Sequence, residues 1–192
     1  GVVNLITRRP GDEFGGFGNV EAGNYAHRKL KGALNIPLTD HLSQRFAVFY
    51  LEREGFVDNL FTGDDIDGRD MYSLRSATRW QSERTDATLT IQYFEENSDR
   101  MRGSAQRCRR DPEGVLGCLP TGLANQRPHS GATITGFLIN GIVAPLTGLP
   151  FPEDDFVNSP FSEDPREQYL DFTPVYEVED TVISLEIDHD IG

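Results

Sequence analysis

The sequence predicts an all-β protein that forms part of an antiparallel transmembrane β-barrel, with about six up-and-down strands. The clearest observation is segment 85–95, in which apolar residues at odd positions alternate with polar residues at even positions. A period of two is the pattern of a strand with one apolar and one polar face. The same alternation recurs along most of the chain, and its connections alternate between short and long. Transmembrane barrels sort their connections in this way, with short turns at one end and longer loops at the other.

The first predicted elements are a short apolar strand at 1–9, a glycine-rich strand at 15–23 and a longer strand at 28–38. The run Arg8-Arg9-Pro10-Gly11 is a turn signal that closes the first of them. In 28–38 the apolar residues occupy even positions, and Pro37 suits the end of a strand.

The remaining strands are predicted at 44–54, 70–81, 85–95 and 181–189. Segment 44–54 is apolar on both faces, so its orientation stays open. Tyr72 and Trp80 share one face of 70–81 and lie roughly 26 Å apart along a strand that rises ~3.3 Å per residue. With a strand tilt of about 40°, that span gives a height near 20 Å, which is close to the ~25 Å between aromatic girdles. The aromatic positions therefore favour a membrane-crossing strand.

Two of the connections are predicted to be loops. Segment 56–69 is polar, and segment 97–179 is very long and rich in glycine, proline and charge. Inside the long segment, residues 132–143 are predicted to form a hairpin around Asn140-Gly141, a typical turn dipeptide. In a barrel, the long segment is expected to be an extracellular loop.

The composition excludes several classes of function. A net charge of −13 and a pI near 4.6 argue against nucleic acid as a partner, because neutralising phosphates needs a basic face. No apolar run approaches the roughly 20 residues of a transmembrane helix. We find no motif of a nucleophile, base and orienting group, and no phosphate-binding glycine loop. We therefore predict no enzymatic activity, no metal site and no cofactor. The chain also has no starting Met and no leader, so we expect it to be a piece of a longer polypeptide.

The two cysteines, Cys108 and Cys118, lie ten positions apart in a loop-like segment. This spacing favours a local disulfide formed in an oxidising compartment, with two free thiols as the alternative. A zinc site would need further Cys or His residues at ligand spacing, and none has it.

Clusters of like charge suggest further sites, each with a plainer alternative. The acids of 64–70 have a spacing that suits calcium, but the distal Glu of an EF-hand loop is missing and an exposed loop is favoured. The arginines of 100–110 would attract an anionic ligand such as an iron chelate, against a solvated loop. The acidic run 153–171 has the same alternative.

Polar side chains on the faces opposite the apolar ones are predicted to line the lumen of the barrel. There they would meet a plug or the path of a ligand, or simply bind water and pair between strands. These predicted lumen-facing residues are Arg75, Arg79, Thr90, Gln92, Glu186 and Asp188.

The chain begins with Gly1-Val2-Val3-Asn4-Leu5-Ile6-Thr7-Arg8-Arg9-Pro10, and this segment resembles the end of the plug domain in TonB-dependent outer-membrane receptors. Residues 16–25 look like the start of the barrel in that family, and 38–43 like one of its hairpins. Residues 53–59 look like the end of the third strand running into its outer loop. The resemblance spans the whole chain, and its first segment is the most specific part.

The resemblance implies a division into the end of a plug domain at 1–11 and the N-terminal part of a barrel at 15–192. It implies a location in the outer membrane of a Gram-negative bacterium, in contact with membrane lipid. The parent protein would bind a scarce small molecule, such as a siderophore complex, a cobalamin or a glycan. An inner-membrane TonB complex would supply the energy for its uptake through the parent protein.

A secreted β-sandwich that binds carbohydrate or protein is the rival interpretation, because two sheets packed face to face also bury alternating apolar residues. Dependence on detergent separates the two, since a sandwich stays monomeric without it.

Overall fold

A computed structural model describes residues 1–2, 7–100, 107–113, 117–120, 124–129, 138, 142–148 and 161–191. Within these residues the protein is all-β apart from short helical segments. The elements are β1 Gly15–Ala22, β2 Arg28–Thr39, β3 Leu42–Arg53, β4 Val57–Asn59, β5 Asp65–Ile66, β6 Arg69–Gln81, β7 Thr85–Ser98, α1 Ala144–Thr147, β8 Glu167–Gln168 and β9 Tyr176–His189. The chain divides into two compact units, of which the first comprises Gly1–Phe56, Asp67–Arg100 and Pro174–Gly192 and the second Val57–Ile66 and Met101–Thr173.

The first unit is a six-stranded antiparallel sheet in the order β1-β2-β3-β6-β7-β9. The long strands therefore follow one another in space as they do along the chain. The tight connections 40–41 and 82–84 lie at one end of the sheet. The connection 23–27 lies at the other end, as do the strand ends that border 54–68 and 99–175. The sequence-based prediction of six up-and-down strands with sorted connections agrees with this sheet.

The strand register divides the side chains into two faces. Leu34, Phe46 and Ser76 lie opposite one another on β2, β3 and β6, and Val48 lies opposite Leu74. This face, here called the apolar face, includes Leu89, Ile91, Ile183, Leu185 and Ile187. Most of its large apolar side chains are exposed, and Ile183 reaches 67%.

The register also settles the orientation of β3, which the sequence left open. Phe46, Val48 and Tyr50 lie on the apolar face because their cross-strand partners do. Phe49 and Leu51 therefore lie on the opposite face, here called the polar face, with Lys31 and Ser73 beside Phe49.

The second unit shows that segment 56–69 is not the polar loop predicted from its sequence. It contributes β4 and β5 to a three-stranded sheet in which β4 also pairs in parallel with β8. The side chain of Asn59 joins β4 to the chain just after β8. Its Nδ2 donates to the Leu170 carbonyl oxygen at 3.0 Å, and its Oδ1 accepts from the Leu170 N–H at 3.0 Å. Ile66 is fully buried in this unit. Long-range pairing of this kind leaves no local periodicity to detect.

Several predicted boundaries differ from those of the structure. β7 extends to Ser98 and β9 begins at Tyr176, so the long connection is 99–175. Residues 1–2 and 7–9 are not in a strand, and the rest of the strand predicted at 1–9 lies outside the described residues. The hairpin predicted at 132–143 falls almost wholly outside them, and its last two residues lead into α1. Among the described helices, none has the length and apolar character needed to cross a bilayer.

Candidate functional site on the polar face

The polar face brings together the six side chains that the sequence singled out. Arg75 lies opposite Gln92, and Thr90 lies opposite Ser184. Thr88 stands between Arg79 on one neighbouring strand and Glu186 on the other. Asp188 lies opposite Asp86 in the next polar row. Their common face follows from the two-residue period of extended chain, which points alternate side chains the same way.

Residues 7–13, here called the crossing segment, run over this face before β1 begins. At one end, the Arg75 guanidinium donates to the Thr7 hydroxyl oxygen. At the other end, the Asn35 side chain accepts from the Gly11 N–H at 2.9 Å and donates to the carbonyl oxygens of Gly11 at 2.8 Å and Glu13 at 2.6 Å. Pro10 between them is fully buried. The segment is therefore attached to the sheet both through its backbone and through side chains.

A group of ion pairs connects the middle of the crossing segment to β6, β7 and β9. Arg9 forms an ion pair with Glu186, and its Nη1 lies 3.5 Å from the Asp188 carboxylate and 4.0 Å from that of Asp86. Arg79 Nε lies 2.9 Å and 3.1 Å from the two Asp86 carboxylate oxygens, and its Nη1 lies 3.3 Å from the Pro10 carbonyl oxygen. One arginine from the segment and one from the sheet thus share an acidic cluster.

The other predicted residues of this face have different surroundings. Thr90 is buried, with 8% of its surface exposed, and lies between Ala77 and Ser184. Gln92 is half-buried beside Arg75. Neither has a hydrogen bond to the crossing segment among those of the described residues. Arg79, Glu186, Asp188 and Arg75 are the predicted residues that contact it.

Sequence reasoning did not select Arg9, Asn35 or Asp86 as site residues. Asn35 and Asp86 occupy polar positions of clearly alternating strands, and that pattern marks their face but not their partners. Arg9 lies in a turn signal and reaches acids about 180 positions later in the chain, a relationship that only the folded sheet creates.

The apolar face ends in a row of tyrosines next to the longer connections. Tyr50 and Tyr72 are direct cross-strand partners, and the Tyr93 ring lies 5.8 Å from that of Tyr72. The Tyr72 and Tyr93 hydroxyls donate to Glu95 at 2.6 Å and 2.7 Å. Each tyrosine thus combines an apolar ring with a polar tip beside a carboxylate. This arrangement suits a boundary between an apolar and a polar environment.

At the opposite end, the apolar face contains a small group of polar side chains. Gln44 Nε2 donates to the Ser76 hydroxyl at 2.8 Å, and the Thr78 hydroxyl donates to Gln44 Oε1 at 2.5 Å. Their polar atoms therefore have partners within the face itself. This is what a surface without access to water requires.

Described residues of the charged clusters at 64–70 and 100–110 have partners within the chain itself. Asp67 pairs with Arg69 at 2.8 Å, while Asp64 accepts from the Thr173 hydroxyl at 3.2 Å. No group of three or more potential metal ligands occurs in the described part of the chain. Arg100, the first of the basic run, stacks over the Tyr176 ring at 3.4 Å and lies 3.3 Å from Glu96.

Cys108 and Cys118 form a disulfide in the second unit, with their Cα atoms 5.2 Å apart. Cys108 is almost fully buried. Two backbone hydrogen bonds hold Cys108 itself, from its N–H to the Ala124 carbonyl oxygen and from the Gln126 N–H to its carbonyl oxygen.

Comparison with protein-family models, curated proteins and solved structures finds no significant match. The resemblance of the chain to TonB-dependent receptors therefore stays a prediction from its own residues.

Proposed function

We propose that the chain is part of a TonB-dependent outer-membrane receptor, and that the apolar face of its six-stranded sheet contacts membrane lipid. The observation that carries the proposal is the difference between the two faces. One face exposes large apolar side chains on each of its six strands, with Leu185 at 63% and Ile187 at 59%. The other face carries charged and polar groups. A barrel in a membrane needs this arrangement, with apolar residues outward and polar residues inward.

The rim of the apolar face supports the same proposal. Transmembrane barrels have an apolar band about 25 Å tall between two aromatic girdles. Tyr50, Tyr72 and Tyr93 would form part of the outer girdle, with Glu52 and Glu95 beyond them in the headgroup region. Trp80 would belong to the inner girdle, next to the tight connection 82–84. The longer connections, including 99–175, would then lie outside the cell.

The crossing segment supports the assignment of a plug. Its contacts with Asn35, Arg79, Glu186 and Asp188 attach it to the face that would line the lumen. A plug enclosed by a barrel needs polar partners of this kind on the inner wall. In the proposed receptor, residues 1–11 are therefore the end of the plug, and the sheet is the first part of the wall.

The outermost strands of the sheet are consistent with a larger barrel. Within the described residues, β1 and β9 each pair with a single strand, which leaves one edge of each unpaired. Exposed edges with apolar neighbours promote aggregation unless further strands cover them. Additional strands of the parent protein would close the barrel.

The proposed receptor imports a scarce small molecule, such as a siderophore complex, a cobalamin or a glycan, across the outer membrane. Its energy would come from an inner-membrane TonB complex that acts on the parent protein. The side chains of this chain would contribute the inner wall and its attachment to the plug.

The test is the cellular location of the parent protein in the bacterium that produces it, together with its need for detergent after purification. We expect it in the outer-membrane fraction, and we expect purified protein to stay monodisperse only in detergent. A control for contamination is a soluble periplasmic protein followed through the same fractionation. A detergent-free monomer with a sharp, reversible thermal transition would contradict the proposal and support a secreted β-sandwich.

A further inference from the structure

The polar face contains a pocket of about 260 Å³ in which every charged lining residue is positive. The charged residues are Arg8 from the crossing segment and Lys31, Arg45 and Arg75 from β2, β3 and β6. No carboxylate lines the pocket in the described part of the chain. The pocket lies entirely within the first unit.

The sheet itself builds this pocket. Ala33 and Ala47 lie opposite each other on β2 and β3, and Ala47 also lies opposite Arg75. Their small side chains leave a hollow in the polar face. Lys31 and Arg45 each lie two positions from one of these alanines, so they point to the same side of the sheet. The hollow is therefore surrounded by long cationic side chains.

The cations around the hollow differ from the other cations of the same face. Lys29 pairs with Glu21 at 3.1 Å, and Arg79 pairs with Asp86. By contrast, Lys31 and Arg45 make no ion pair or side-chain hydrogen bond among the described residues, and the Arg75 guanidinium donates only to the neutral Thr7 hydroxyl.

The unpaired charges also lie close together in a partly shielded place. Lys31, Arg45 and Arg75 are half-buried, and Arg45 and Arg75 lie diagonally across β3 and β6 on the same face, so that their like charges repel. Like charges in a concave site raise the local concentration of ions of the opposite sign. A bound anion would remove both the repulsion and the lack of partners.

We propose that this pocket binds a compact small-molecule anion with two or more carboxylate or phosphate groups. The guanidinium groups of Arg45 and Arg75 present planar pairs of donors that match either group. Lys31 supplies a third positive charge from β2. The volume admits a molecule the size of a tricarboxylate. Binding requires only the folded first unit, whereas a place on the path of an imported solute rests on the proposed function.

The experiment measures binding to the full-length parent protein in non-ionic detergent by isothermal titration calorimetry. The probes are propane-1,2,3-tricarboxylate, its neutral trimethyl ester and inorganic pyrophosphate. We expect at least one anion to bind, more weakly as salt is raised, and the ester to show no binding. Binding of the tricarboxylate alone identifies carboxylates as the ligand chemistry, and binding of pyrophosphate alone identifies phosphates.

Variants locate the site. Arg45→Gln and Arg75→Gln should each raise the Kd of the anion about tenfold or more, because each removes a charged partner. Arg45→Lys should recover part of the loss. Arg84→Gln is the control, since it removes a positive charge from the tight connection 82–84, which does not line the pocket. Its Kd should equal that of the unmodified protein.

Three results would overturn the proposal: no binding of either anion, equal binding of the ester, or equal weakening by Arg84→Gln. If the absence of binding is accompanied by a loss of stability in Arg45→Gln, a carboxylate of the protein itself fills the pocket. If the glutamine variants do not fold, the ester and Arg45→Lys still decide. If the protein needs detergent but binds no anion, only the pocket proposal is refuted. If the protein is a monomer without detergent and still binds an anion, only the receptor proposal is refuted.

Discussion

The Arg79 guanidinium binds the Asp86 carboxylate through two nitrogens and also donates a hydrogen bond to the Pro10 carbonyl oxygen. This one side chain therefore joins β6, β7 and the crossing segment. Nη1 of Arg9 in the segment lies 4.0 Å from the same carboxylate. The attachment of the segment thus depends on a small, shared set of charges.

Replacing Arg79 should loosen the crossing segment. Arg79→Ala removes the ion pair with Asp86 and the bond to Pro10, and because both partners are partly exposed we expect a loss of about 1–2 kcal/mol. Trypsin cleavage of the folded parent protein after Arg8 should become faster, since Arg8 is itself exposed.

Arg84→Ala, in the tight connection 82–84, serves as the control and should leave cleavage after Arg8 unchanged. Identical cleavage rates in Arg79→Ala and the unmodified protein would show that the segment is held without these charges.

Neighbouring residues of β9 test the membrane orientation. Leu185 lies on the apolar face and Ser184 on the polar face, and both are exposed. Leu185→Arg should cost roughly 2–4 kcal/mol if the apolar face meets the middle of the bilayer. Ser184→Arg should cost little, because the polar face of the proposed barrel would line a water-filled lumen.

The measurement is the unfolding free energy of the parent protein in lipid vesicles, from urea titration. Equal costs at the two positions would contradict the lipid-facing assignment. Thr90 is unsuitable as the polar-face control because it is buried between β6 and β9.

Two glycines of β1 should respond differently to the same change. A Cβ at Gly16 would lie 2.6 Å from the Ala33 carbonyl oxygen, whereas a Cβ at Gly18 would meet nothing within 4 Å. Gly16→Ala should therefore destabilise the protein by about 1–3 kcal/mol through overpacking. Gly18→Ala should be neutral or slightly stabilising in the same urea titration. A neutral Gly16→Ala would show that β1 moves away from β2 at little cost.

The disulfide should stabilise only the region around it. Closing the loop between Cys108 and Cys118 removes about 2–3 kcal/mol of unfolded-chain entropy in the usual model. Mass spectrometry of the non-reduced, exported protein should show the two cysteine peptides linked. Reduction should raise hydrogen exchange near Cys108 without changing exchange in β6 or β7. Two freely alkylated thiols would contradict both the bond and the extracellular placement of this loop.

The alternation of side chains determined much of the sheet from sequence alone. In β2, β6, β7 and β9 the two-residue period fixes which residues share a face, because extended chain points alternate side chains in opposite directions. The tight connections 40–41 and 82–84 then fix which strands are neighbours. For the same reason, Arg75 and Glu186 could be assigned to one face before their partners were known.

Tertiary structure decided whatever depends on a partner far away in the chain. β3 is apolar on both sides, so only its pairing with β2 and β6 gives it an orientation. The parallel pairing of β4 with β8 and the ion pair between Arg9 and Glu186 each join positions more than a hundred residues apart. The cationic pocket arises because the register sets Ala33 beside Ala47. Local sequence records the preference of each residue for a face, whereas these contacts depend on the register between strands.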